Sequence, residues 1–189
     1  MIVDFIKELC NHNADDYNFV FAWFATIIQN PAEIPGVMLV LQGGKGIGKS
    51  LLYEILKLVL GDINCTSIAD IDHLVGQFNS KRKDKKLVVL EEIGSSVYDP
   101  KNYGKIKDMI TGATQGFNGK YAQIQDSPAP SGFMQLTNDT NSVRVDTIQG
   151  TRRVWLVSCN DYWSKQECMV HGRMKEREDK FHEFTRQVF

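Results

Sequence analysis

The chain has 189 residues, 42 % of them hydrophobic and 24 % charged, which is room for one ordinary domain with its own core and excludes a disordered tail. Twenty-two Lys and Arg stand against 23 Asp and Glu, a formal net charge of -1. That excludes a strongly basic, histone-like coat for nucleic acid, although a few local cations can still hold a strand. The longest apolar run, residues 19–28, is too short to span a bilayer, and no basic-then-apolar leader opens the chain. The expected setting is cytoplasmic, in a bacterial cytosol or the cytoplasm of a host cell, with no secretion and no membrane partner. Cys10, Cys65, Cys159 and Cys168 form no C-x-x-C pair and the four histidines are scattered, so reduced thiols and no zinc are expected.

In chain order, residues 4–11 and 15–30 read as two helices, the second rich in aromatics between Tyr17 and Phe24 that suit core packing. Pro31 and Pro35 break the pattern. Residues 37–41 form a short continuous apolar run, the mark of a strand buried on both faces. A glycine-rich loop leads into residues 50–60, whose apolar positions recur at helical spacing until Gly61. A strand over 63–68 and a helix over 69–78 follow. The basic run 81–86 reads as a solvated turn before a second buried strand at 87–90. Residues 101–111 read as a helix, and Asn118 and Gly119 sit between strand-like flanks, a hairpin signal. Strands at 132–136 and 154–157 and a polar, helical stretch at 161–189 complete the chain. Alternating strands and helices predict an α/β three-layer sandwich around a mostly parallel sheet. The divisions expected are an N-terminal helical segment 1–35, a core 36–160 and a helical tail 161–189 belonging to the same domain.

Residues 43–50 match G-x-x-x-x-G-K-[ST] at every position, between a buried strand and a helix. Gly43, Gly44, Lys45, Gly46, Ile47, Gly48, Lys49, Ser50 and the following Leu51 are therefore the expected nucleotide-binding residues. Glycines let the backbone turn its N–H groups around an anion, and the helix start adds its positive end. Lys49 reaches the β- and γ-phosphates, and the Ser50 hydroxyl ligates Mg²⁺. ATP and Mg²⁺ are the expected cofactors.

Glu91 and Glu92 end the strand at 87–90, and ligands of open α/β sheets sit at the carboxyl ends of strands. Glu91 suits the metal, through water. Glu92 suits orienting or deprotonating the water that attacks the γ-phosphate. Asn138 ends the strand at 132–136 and can bond the attacking water and the γ-phosphate, or simply form a turn. Arg152 and Arg153 precede the last strand; a guanidinium fork fits phosphate oxygens, facing either its own nucleotide or a neighbour's.

With these motifs in place, the chain resembles the superfamily 3 helicases, AAA+-type motors of small DNA viruses, phages and plasmids, and within them the poxvirus-like and phage primase-helicases. The resemblance runs from about residue 17 to 153 and rests on QGGKGIGKS, GQFNSKRKDKKLVVLEE, KIKDMITGATQGFNGKY, QLTNDTN and GTRR. The third segment looks like the superfamily's own B′ motif and carries most of the specificity. The resemblance implies a P-loop, AAA+-like ATPase with a short helical N-terminal extension. It implies Asn138 as the sensor residue and Arg152 or Arg153 as the arginine finger offered to an adjacent subunit. It implies a homo-oligomer, usually a hexameric ring, that draws single-stranded DNA through a central pore. The family's pore hairpin falls on Asn118, Lys120 and Tyr121, with Lys105 and Lys107 on the preceding helix, as candidate DNA contacts. The short ends fit a helicase domain of a larger chain, with a primase or polymerase domain as a further expected partner. Two other classes remain alternatives: a self-contained P-loop enzyme such as a nucleotide kinase, and a non-hydrolysing ATP-binding assembly module.

Overall fold

The computed structural model describes residues 2–30, 32–76, 79–117, 125–139, 143 and 152–188. Its frame is a five-stranded parallel sheet. The strands are β1 (Met38–Gln42), β2 (Cys65–Ile68), β3 (Leu87–Glu91), β6 (Gly132–Thr137) and β7 (Val154–Ser158), in the spatial order β2-β3-β6-β1-β7. Strands β4 (Thr114–Phe117) and β5 (Gln125–Pro128) form a separate antiparallel ribbon. The expected α/β fold with a central parallel sheet is what the chain adopts.

Successive side chains on a strand point to opposite faces, and here the faces carry two different cores. Leu39, Leu41, Leu87, Val89, Met134, Leu136 and Val157 point to one side. There they meet α1 (Ile2–Leu9), α2 (Ala14–Gln29) and α3 (Lys49–Leu60) through Ile6, Trp23, Ile27, Leu52 and Leu56. Met38, Val40, Val88, Leu90 and Phe133 point to the other. They meet α4 (Ile71–Val75) and α5 (Pro100–Thr111) through Leu74, Ile106 and Ile110. Strand β1 is buried throughout and β3 but for its last residue, which is why residues 37–41 and 87–90 read as continuous apolar runs rather than alternating ones; β6 is equally buried but carries Gln135, whose Oε1 accepts from the Tyr98 hydroxyl at 2.9 Å.

The aromatic helix α2 packs as expected. Trp23 is 2 % exposed, its Nε1 donates to the Val37 carbonyl at 2.9 Å, and its ring covers Gly132. Phe19 stacks on Trp155 with ring centroids 4.2 Å apart, while the Trp155 indole donates to Asp16 at 3.0 Å.

Several boundaries move, each for a local reason. Helix α1 ends at Leu9, and Asn11 and His12 take left-handed φ of 51° and 56°. The second strand starts at Cys65, because residues 62–64 make a 3-10 turn that leaves Ile63 exposed. Helix α4 is cut short. Asp70 caps its start by accepting from the Asp72 N–H at 2.9 Å, and its last backbone bond ends on Gly76. The tail holds a 3-10 turn at 161–163, α6 (Lys165–Val170) and α7 (Met174–Val188).

The basic turn corrects the sequence reading at one residue. Arg82 is 3 % exposed: its guanidinium donates to the Gln115 side chain and lies 5.4 Å from the Phe117 ring centroid. Asp84 accepts from Ser127 at 2.6 Å, and Asn79 donates to the Gly116 carbonyl at 3.2 Å. The run is thus the seat of the β4–β5 ribbon as well as a turn. Burial pulls the Arg82 pKa down to about 10. No helix among the described residues is long and apolar enough to cross a membrane.

Trp23 joins helix, sheet and the β1 entry. Trp23→Ala is expected to cost about 3–5 kcal/mol, the usual price of emptying a large aromatic site, read as a lower denaturant midpoint in an unfolding titration.

Candidate functional site

Residues 43–48 leave the end of β1 as a loop and enter α3. Gly46 and Gly48 hold φ of +85° and +106°, values that side chains rarely adopt. A Cβ on Gly48 would also meet the Phe5 ring at 2.8 Å. No side chain caps the start of α3, so its first N–H groups stay available to an anion.

Lys49 is 6 % exposed. Its ammonium spends all three protons on fixed acceptors: the carbonyls of Gly43 at 2.7 Å and Gly44 at 2.9 Å, and the Asn138 Oδ1 at 2.8 Å. Burial pushes its pKa down, while Cys159, Glu92 and Asp161 oppose that shift. Asn138 lies just past β6 and donates from its Nδ2 to the Glu92 carboxylate. The three groups therefore form one chain, Lys49–Asn138–Glu92. Glu92 follows β3 in the left-handed region, φ 55°, and its N–H donates to the Leu136 carbonyl at 3.1 Å. A non-glycine residue held there costs of order 1–3 kcal/mol and clusters at working sites. That backbone turn is what swings its carboxylate toward Asn138.

Glu91 ends β3, half-buried. Burial raises its carboxyl pKa, with Glu54 and Glu92 adding to the rise. Glu91, Glu92, Lys49, the exposed Ser50 and Asn138 line one cleft of about 440 Å³. A hydroxyl and carboxylate oxygens are the donor set of a hard cation such as Mg²⁺, and a crowded anion pair is stabilised by one. Among the described residues there is no cluster of three or more His, Cys, Asp or Glu placed for a metal; Mg²⁺ commonly uses one or two protein carboxylates and keeps its water.

The tail supplies residues that sequence reading missed. Asp161 accepts from the Gly44 N–H, and the Lys165 N–H donates to the Lys45 carbonyl at 3.2 Å. Arg177 donates to the Gly46 carbonyl at 2.6 Å and to the Trp163 carbonyl at 3.0 Å. Arg177, Phe181 and Thr185, one turn apart on α7, line the cleft with the loop. The available signal was their i, i+4 spacing in a polar helix. Nothing local marked which surface that stripe would meet.

Other candidates lie elsewhere. Arg152 and Arg153 precede β7, which pairs in parallel with β1, so they stand at the amino ends of the strands, opposite the carboxyl ends that carry the phosphate loop. They are not brought to this chain's own cleft. Lys105 donates to the Val75 carbonyl at 3.1 Å, and the Lys107 ammonium lies 4.3 Å from the Tyr103 ring centroid. Asn118, Lys120 and Tyr121 lie outside the described residues. The four cysteines are free and buried.

Residues 41–153 match the family described as a family of unknown function, DUF5906, and the chain belongs to it. It is 27 % identical over 169 residues to the DNA primase-polymerase of Nitratiruptor phage NrS-1, across 88 % of this chain. The chain spans 23 % of that protein's length. The apo structure of the NrS-1 C-terminal region superposes with a TM-score of 0.73 at 24 % identity, over 94 % of this chain and 43 % of that one. A JCV helicase structure with a bound small molecule superposes with a TM-score of 0.54 at 20 % identity, over 90 % of this chain and 49 % of that one. The fold is thus shared with a region of a phage replication protein and with a viral helicase.

The raised Glu91 carboxyl gives a test with a definite sign. Its proton is held more tightly in the folded state than in the unfolded chain, so the ionised form costs stability at neutral pH. That cost fades as pH falls through the folded value toward the unfolded one. Glu91→Gln is expected to raise the Tm of the ligand-free protein at pH 7.5. The gain should vanish near pH ~4. Thermal melts at the two pH values measure it, and a loss of Tm at pH 7.5 would contradict the assigned cause.

Proposed function

We infer that this chain is the ATP-hydrolysing motor of a replication protein, of the superfamily 3 helicase type, acting on single-stranded DNA. The observation that carries the reading is the Lys49–Asn138–Glu92 chain at the mouth of the phosphate loop. It joins a phosphate-binding cation to a candidate base through a group that contacts both. Support comes from the phage primase-polymerase, whose name is that of a DNA-replication enzyme, and from the fold shared with a viral helicase.

In this reading the N–H groups of residues 46–50 hold the β- and γ-phosphates of ATP, and the Lys49 ammonium turns to them from its loop carbonyls. Ser50 and, through water, Glu91 would hold Mg²⁺, which when bound would neutralise charge on the phosphate oxygens. Glu92 takes a proton from water, whose oxygen attacks the γ-phosphorus as the bond to the bridging oxygen breaks. Asn138 keeps Glu92 turned inward and lets the two ends of the site sense each other. Arg177 adds a cation beside Gly46 from the same chain. Arg152 or Arg153, remote from this cleft, would serve a neighbouring subunit's nucleotide, which calls for a ring of copies. Lys105, Lys107, Lys120, Tyr121 and Asn118 are proposed for the strand-facing side, and a primase or polymerase domain as a companion in a longer protein.

ATP turnover measured against protein concentration, with and without single-stranded DNA, tests the whole reading. The expected result is a steeper-than-linear rise, stimulated by DNA. A rate per subunit independent of both would favour a self-contained kinase-like enzyme. Glu92→Gln is expected to bind ATP with near-unchanged affinity while turnover falls by about 10²-fold or more, the usual contribution of a general base. Wild-type turnover in that variant would remove Glu92 from the mechanism.

A further inference from the structure

Strand β1 ends on a polar residue where the rest of the strand is apolar. Gln42 follows Met38, Leu39, Val40 and Leu41, yet it is only 8 % exposed. Its direct cross-strand neighbour on β6 is Thr137, 1 % exposed. Burying an amide or a hydroxyl costs free energy unless the group is hydrogen-bonded. Apolar side chains would serve the sheet as well, so the two polar groups call for a partner that needs them.

That partner is the same residue for both. The Gln42 Nε2 donates to the Asp139 carbonyl at 3.0 Å. The Asp139 N–H donates to the Thr137 Oγ1 at 3.2 Å. One residue just beyond the sheet thus has its N–H and its carbonyl held by side chains at the tips of two adjacent strands. Backbone bonds brace the same joint. The Gly43 N–H donates to the Thr137 carbonyl at 3.2 Å, and the Cys159 N–H donates to the Gln42 carbonyl at 2.7 Å.

Asn138 is what the joint encloses. It stands between Thr137, the last residue of β6, and Asp139. Its side chain is engaged by Lys49 and Glu92, so its placement rests on the backbone on either side of it. Such a placement has little tolerance: a displacement of about 1 Å in a catalytic site can cost on the order of 10²-fold in rate. Gln42 also directly precedes the phosphate loop, so one side chain ties the start of that loop to the segment that carries Asn138. Gln42 is absent from the described lining of the phosphate cleft, and it reaches the chemistry only through Asn138.

We propose that Gln42 is a positioning residue: with Thr137 it clasps Asp139 and so fixes Asn138 between Lys49 and Glu92. The proposal rests on the ATP-hydrolysis reading given above and adds the group that aims Asn138.

The test is a kcat and KM comparison for ATP at saturating single-stranded DNA. The proteins are the wild type, Gln42→Met, Asn138→Ala and the double variant. Methionine keeps the length of glutamine and loses the donor. Thr137→Val and Thr137→Ser probe the other half of the clasp, and thermal melts check that every variant is folded. Gln42→Met is expected to lower kcat by roughly ten- to a hundredfold with KM for ATP unchanged. In the Asn138→Ala background it should add no further loss, because the group it aims is gone. Thr137→Val should lower kcat alone in the same way, and Thr137→Ser, which keeps the hydroxyl, should stay near the wild type. If Gln42→Met does not fold, the Thr137 pair decides, and equal kcat in Thr137→Val and Thr137→Ser overturns the proposal. Wild-type kcat in Gln42→Met also overturns it. So does a rise in KM matching the fall in kcat, which would place Gln42 in the grip on phosphate. Losses that multiply in the double variant would mean that Gln42 acts apart from Asn138, and overturn it too. If the wild type itself does not hydrolyse ATP, the motor reading falls, and the positioning role with it.

Discussion

The site is organised around one buried ammonium. Taking a charged lysine out of water is costly unless each of its protons finds an acceptor. Lys49 finds three, and each comes from a different requirement of the fold. Two are loop carbonyls, available only because the loop curls back over its own lysine. The third belongs to a residue 89 positions later in the chain. The curl needs glycine at positions where φ is positive, and the late acceptor needs β6 beside β1. Loop conformation, strand order and site chemistry are thus tied to the hydration cost of one group.

Strand order does the remaining work. The strand bearing the glutamates is separated from the phosphate-loop strand by β6. A residue at the tip of β6 therefore lies between the two, and Asn138 is that residue. An amide is well suited to the place, since its oxygen accepts from the cation while its nitrogen donates to the carboxylate. An aspartate there would set two carboxylates against each other, and a leucine would leave a buried ammonium one acceptor short.

Much of this was legible in the chain, and the parts that were not share a cause. The phosphate loop is a contiguous motif whose residues act on one another locally. Strands β1 and β3 announce themselves by unbroken apolar runs, because burial on both faces leaves no alternation. The Glu91–Glu92 pair was readable from its place at a strand end. Asp161, Arg177 and Phe181 were not. Asp161 and Arg177 bond backbone groups of the loop more than a hundred residues earlier, Phe181 lies over Gly48, and a polar helix gives no local sign of which loop it will cover. Arg82 was misread for a related reason. A run of basic residues looks solvated as a whole, yet one of its members turns inward because the β4–β5 ribbon offers it an amide and an aromatic face.

Helix α7 has a consequence for how the protein breathes. It carries no fully buried side chain and is tied down by Arg177, by the Lys180–Glu8 pair and by half-buried aromatic edges. The sheet beneath it is sealed on both faces. Local stability follows buried apolar contact and sheltered hydrogen bonds. The amides of α7 would accordingly exchange with solvent through small openings long before those of β1 or β6, whose exchange waits on global unfolding. The wall of the cleft is the soft part of the molecule, and the strands that aim its chemistry are the hard part.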